Sequence, residues 1–223
     1  MFDFRIRRAS LLAGLLLGVA ALPCLAAQAA VPAQVAAVQD RWAQINYNTP
    51  KKQRESGFEA LAKQAATVRA AQPGNASALI WEGIVLSSFA GERGGLGALS
   101  LVKQAKKDFE QALSIDPKAL DGAAYTSLGA LYYQVPGWPI GFGDDAKARE
   151  LLKAGLQVDP DGIDANYFYG DYLQDQGDWK AAAASLEKAL AAPARPGREL
   201  ADQGRRKDIQ ALLTKVRSHL ASR

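Results

Sequence analysis

Cysteine, histidine and methionine each occur once among 223 residues, as Cys24, His219 and Met1. One thiol excludes an internal disulfide. One imidazole leaves zinc sites and histidine-based triads almost no raw material. Phosphate loops are missing as well. The glycine-rich stretch 91–97 lacks the Gly-Lys-Ser/Thr ending, and Gly141-Phe142-Gly143 has neither a strand before it nor a third glycine. No segment alternates apolar and polar residues as a half-buried strand does. Past residue 22 no apolar run is long enough to cross a bilayer. Net charge is small too. The formal net charge is +4, and it falls to +2 once residues 1–29 are set aside, which gives little reason to expect a nucleic-acid partner.

What is present begins with an export signature. Arg5, Arg7 and Arg8 precede an apolar run from Leu11 to Leu22, and Ala27-Gln28-Ala29 offers a small-residue cleavage site. Residues 1–29 are therefore expected to be a secretory signal peptide cleaved near Ala29, with the general route favoured over twin-arginine export. The product is expected in the periplasm of a Gram-negative bacterium without a stable membrane anchor. Pro23 before Cys24 argues against lipid attachment there. The remaining 194 residues would contain no cysteine.

Helical periodicity fills that remainder, punctuated by turn residues. Helices are expected over 33–48, 52–71, 76–90, 98–115, 120–134, 144–157, 162–176, 179–192 and 198–221, with Asp144 as an N-cap. A code of small and large residues recurs through them. Ala105, Phe109, Ala112 and Pro117 return 43 positions later as Ala148, Leu152, Gly155 and Pro160. Ala182, Leu186 and Ala189 follow 34 positions after the second set, with Pro193 one residue short of register. A small residue at a helix crossing lets two backbones approach, and a large one fills the gap beside it.

The stretch 163–194 resembles a tetratricopeptide repeat (TPR): Gly170 at the small eighth position, Gly177 at the turn, Trp179 opening the second helix, then Ala182, Leu186 and Ala189. The resemblance implies an all-α fold, an α-solenoid of TPR-like helical hairpins with a C-terminal capping helix. The expected organisation is a degenerate hairpin over 30–75, three repeats over 76–194 and a cap over 195–223. The first two repeats carry insertions between their helices, at 91–97 and 136–143. The segment 135–144 also resembles small exported bacterial TPR proteins, some of them similar to the TPR partners of TRAP-type solute transporters.

Candidate binding residues come from two places. Trp138, Ile140 and Phe142 are too apolar for an idle loop. They either tuck under it or line a binding surface. The resemblance also implies that the first helix of each pair lines an inner face. With Gly83, Gly129 and Gly170 at position eight, that face carries Ile80, Ile84 and Ser87, then Thr126, Ala130 and Tyr133, then Tyr167, Asp171 and Gln174. It lacks the Lys and Asn set with which some TPR domains clamp a terminal carboxylate. The Asp159–Asp164 turn does not match a calcium loop, and its aspartates are expected to cap the next helix. His219 is expected to be an exposed residue of the cap, and the run Arg205-Arg206-Lys207, with acids nearby, is expected to belong to the cap as well. Residues 144–178 hold nine acids and three bases, whereas residues 179–223 hold ten bases and four acids. Opposite poles of this kind steer partners or pair subunits, unless they are simply solvated.

These readings favour a non-catalytic periplasmic scaffold that binds a protein partner in an envelope assembly, with no cofactor and no metal. The alternative is a small-molecule or lipophilic-solute binding component working with a transporter. A hydrolase using Asp171 and Asp175 is a weaker third.

Overall fold

The computed structural model describes residues 31–222, and the expected signal peptide lies outside them. The described residues form helices joined by turns, with no strand among them. The helices are α1 (Ala33–Ala43), continued by a π-helical turn (Gln44–Asn48), α2 (Lys51–Ala71), α3 (Ala76–Arg93), α4 (Gly95–Ile115), α5 (Ala119–Gln134), α6 (Asp145–Val158), α7 (Ile163–Asp175), α8 (Trp179–Ala191) and α9 (Glu199–Ala221). None of the described helices is long and apolar enough to cross a membrane.

Local chemistry sets several of these ends. Asn75 accepts hydrogen bonds from the Ser77 and Ala78 amides, Asp144 from Lys147 and Asp178 from Ala181. The expected cap at Asp144 is therefore present. Two expectations change. Glycines 91–97 do not form a loop: α3 runs to Arg93 and α4 starts at Gly95, with Gly94 (φ 65°) as the break. The insertion lengthens both helices. Residues 120–122 take left-handed dihedrals, so the regular part of α5 begins at Ala123.

The small–large code does what its spacing implies. A β-carbon on Gly83 would lie 2.6 Å from the Phe109 ring, on Gly129 2.8 Å from Leu152, and on Gly170 2.8 Å from Leu186. Each glycine thus lets the next helix press its large side chain onto the backbone, and Phe109, Leu152 and Leu186 are buried. Gly155 repeats the device with Thr126 at 2.6 Å.

Each helix packs on its sequence neighbours. In addition α1 packs on α3, α3 on α5 and α5 on α7, while α2, α4, α6 and α8 do not pack on one another among the described helices. The odd-numbered helices therefore occupy the shorter, inner arc.

Helix α9 packs on α8 and α7, and also on α1 and its π-helical turn. Ile209, Leu213 and Val216 join the core around α6–α8, whereas Ala201 joins the core around α1–α3. A β-carbon on Gly204 would lie 2.3 Å from the Tyr47 ring. The last helix thus closes the array onto its first.

Candidate partner-binding surfaces

The 135–143 insert is a tied-down loop. Backbone bonds run from the Gly143 amide to Pro136, from the Ile140 and Gly141 amides to Gly137, and from the Asp144 amide to Tyr132. Close approach demands glycine in the turn: a β-carbon on Gly141 would lie 2.4 Å from the Pro136 carbonyl oxygen. Phe142 meets Tyr132 edge-on with centroids 5.5 Å apart, and the Lys106 ammonium lies 5.8 Å from the Phe142 ring. So Phe142 tucks in and anchors the loop. Trp138 and Ile140 do the opposite, standing 90% and 60% exposed. Of the three apolar residues of the insert, one packs beneath the loop and two stand out to solvent.

The inner-face candidates are brought together, but they are not open to solvent as a set. Thr126 is 4% exposed, wedged against Gly155 on α6, and is a packing residue unavailable to a partner. The Tyr133 hydroxyl donates to Asp171 Oδ2 at 2.8 Å. Burial raises the Asp171 carboxyl, Tyr133 works against that, and Asp175 adds to it. Gln174 Oε1 accepts from Lys215 Nζ at 2.9 Å. The Tyr167 ring carries the Arg205 guanidinium at 4.3 Å, and Phe168 carries it at 5.0 Å. Asp171, Gln174 and Tyr167 are thus engaged by neighbouring side chains, two of them by α9.

Arg205 is the centre of that engagement. Besides the two rings, it donates to Asp164 at 2.8 Å and to Asp208 at 3.4 Å, and Asp208 accepts from the Tyr47 hydroxyl at 3.1 Å. Arg195 donates to Asp164 at 2.8 Å and to the buried Asp202. Burial alone would raise the Asp164 carboxyl, but Arg205 and Arg195 together hold it well below the usual carboxylate range. Two sequence expectations are corrected here. The 159–164 aspartates do not cap α7, whose N-cap is Gly162: Asp164 takes two arginines and Asp161 takes Lys188 at 3.0 Å. His219 stacks on Trp179, with ring centroids 3.7 Å apart, instead of standing free. Of the acids in residues 144–178, Asp161 and Asp164 pair with bases of residues 179–223, Asp161 with Lys188 at the surface and Asp164 with Arg195 and Arg205.

Asp164→Asn is accordingly expected to cost about 2 kcal/mol at pH 7, at the low end for a stranded arginine pair because the carboxylate is one-third exposed. A depressed carboxyl contributes stability above about pH 4, the unfolded value, and loses it as pH falls. Urea unfolding of both proteins should show the gap shrinking below pH 4, and a gap constant with pH would contradict it.

Chemistry-bearing groups are otherwise sparse. No group of three or more His, Cys, Asp or Glu residues among the described residues is arranged to hold a metal ion.

No family model and no curated protein matches the chain. Among solved structures, a thermophilic TPR protein of Thermus thermophilus is similar over 75% of this chain and 90% of that one, with a TM-score of 0.50 and 22% identity. MamA aligns over 77% of this chain and 94% of its own, with a TM-score of 0.43 and 17% identity. At 22% identity the first likeness speaks to the fold alone, and the fold is an all-α, TPR-like helical-repeat architecture.

Proposed function

We propose that this chain is a non-catalytic TPR scaffold of the bacterial envelope that binds a protein partner through the tip of the 135–143 loop. In this reading residues 30–75 are a degenerate hairpin, 76–194 hold three repeats, and 195–223 close the array. The observation that carries it is the pairing of two exposed apolar residues, Trp138 and Ile140, with a loop backbone fixed from both sides. A backbone already held by hydrogen bonds leaves only side-chain freedom to be lost on binding, which favours an exposed tryptophan as an interface anchor. The partner chemistry that fits is a protein pocket lined by apolar side chains, such as an envelope assembly or a transporter component presents.

A photo-crosslinker at position 140 in cells, followed by affinity measurement with the captured protein, tests this. Trp138→Ala with Ile140→Ser is expected to weaken binding about tenfold or more with no change in melting temperature. Undiminished affinity would sink the proposal.

The solute-carrier reading has less support. Trp138 faces solvent, and the Tyr133 hydroxyl is committed to Asp171. Native mass spectrometry of the purified protein, read for co-purifying ligand, decides it.

A further inference from the structure

The α5–α6 hairpin carries different chemistry at its two ends. Gly129 meets Leu152, Thr126 meets Gly155 and Gly122 meets Val158, so the two helices run antiparallel. The 135–143 loop joins them at one end, and the start of α5 lies beside the close of α6 at the other. At that second end Lys118, Tyr125, Ala154, Gln157 and Val158 line a half-open cleft of about 350 Å³. Ala154 and Val158 supply its apolar lining. The Lys118 ammonium, the Tyr125 hydroxyl and the Gln157 amide have no hydrogen-bond or ion-pair partner among the described residues. At the loop end stands Trp138. The other three tryptophans are engaged within the molecule: Trp42 donates to Ser88, Trp81 lies under Arg198 at 4.9 Å, and Trp179 stacks on His219. Trp138 has no such contact among the described residues and is 90% exposed. The regular part of α5, from Ala123 to Gln134, keeps loop and cleft about 18 Å apart, so a chain cannot fill its own cleft.

We propose that this cleft takes the loop tip of a second copy of the chain, with Trp138 as the inserted side chain. The inference rests on the loop-tip reading and names its partner. Each unpartnered group of the cleft finds its complement in an indole. Lys118 supplies a cation for the ring face, the Gln157 side-chain carbonyl accepts from the indole N–H, and Tyr125 offers an aromatic neighbour. Ala154 and Val158 cover the apolar edge of the ring. An anionic ligand suits the place less well. Asp121 and Asp159 adjoin Gly122 and Val158 in the chain and lie close enough for their charges to interact, so the rim favours a neutral aromatic group. Tip and cleft are different surfaces, and each copy carries one of each. The contact is therefore head to tail, and copies add in a row along the hairpin.

Analytical ultracentrifugation of the purified protein at rising concentration tests this. Wild type is expected to associate, and Trp138→Ala to weaken the association about tenfold or more. Ala154→Phe, which fills the cleft, is expected to do the same from the other side. Lys118→Glu takes its place should Ala154→Phe fail to fold. The decisive step is mixing. Trp138→Ala keeps an open cleft and the cleft variant keeps a tip, so the two together are expected to form a one-to-one dimer and nothing larger. Wild type still monomeric at about 1 mM overturns the proposal. So does a mixture of the two variants that stays monomeric, or association that neither change weakens. A monomeric wild type whose tip still captures and binds another protein overturns this inference alone and leaves the loop-tip reading standing. Association that needs the cleft residues but not Trp138 counts against both.

Discussion

Phe109→Ala is expected to lower folding stability by about 4 kcal/mol, measured by urea unfolding at neutral pH. The ring is fully buried and presses on the α3 backbone at Gly83. It is flanked by the small residues Ala105 and Ala112 on its own helix, neither of which can swing in to fill the space. The cost is the lost transfer energy of the ring plus the cavity left beside a rigid glycine crossing. Gly83→Ala sharpens the test. On its own it gains about 1 kcal/mol of helix propensity but forces a methyl group into the ring, at a cost of about 1–3 kcal/mol. Combined with Phe109→Leu, the methyl has room. The double variant is expected to be more stable than the sum of the two single changes allows, by about 1 kcal/mol. Simple additivity would mean that glycine and ring do not share one volume.

Asp108→Asn is expected to gain stability relative to wild type by a few kcal/mol as pH climbs from about 4 to about 7, the range over which the buried carboxyl of wild type must ionise. Asp108 on α4 is 2% exposed; one carboxylate oxygen accepts from Gln104 at 2.8 Å and the other has no partner. Across the helix junction lies Glu82, also buried, which spends the nearby Arg69 in a 2.7 Å ion pair. Burial first, then the Glu82 charge, push the Asp108 carboxyl up to about 7, with Gln104, Arg69 and Lys107 opposing only in part. Its unfolded value is about 4. A raised carboxyl favours the folded state below the unfolded value. That benefit is lost as pH climbs from about 4 to about 7, at about 1.4 kcal/mol for each step of one in pH. The amide cannot ionise, so the stability of Asp108→Asn should be flatter across that range and should overtake wild type as pH rises. Parallel curves would place the carboxylate in water rather than in the core. Asp164 carries the opposite slope below pH 4, so the two variants separate the acid limb from the neutral one.

Much of the architecture was legible because it is written locally. Phe109, Leu152 and Leu186 sit at fixed offsets from small residues of their own helices, and each presses on a glycine of the preceding helix. Turn residues placed most helix ends within a few positions. Three things were not local. Glycines 91–97 look like a loop by composition, yet only Gly94 breaks the helix and Gly95 already opens α4. Glu82 and Asp108 precede Gly83 and Phe109 by one residue, where a polar side chain normally points to solvent. They are buried where α3 packs on α4, with Arg69 of α2 reaching Glu82. The course of α9 had no signal at all: Tyr47 and Asp208 lie 161 residues apart, and Gly204 is a single glycine in a charged helix with no periodic mark to match it to an aromatic ring. For the candidate surface, the sequence identified the apolar insert. The division into an anchoring Phe142 and an exposed Trp138 and Ile140 depended on Tyr132 standing beneath one side only.

The closing helix also limits how this molecule can evolve. Open repeat arrays grow and shrink by duplicating units, since each unit needs only its neighbours. Here a 23-residue helix, about 34 Å long, must reach from α7 and α8 to Tyr47. A duplicated hairpin would move Tyr47 out of reach of Gly204 and strand Arg198 away from Trp81. The number of units is locked by the length of one helix, so variation has to accumulate in loops such as 135–143 rather than in the count.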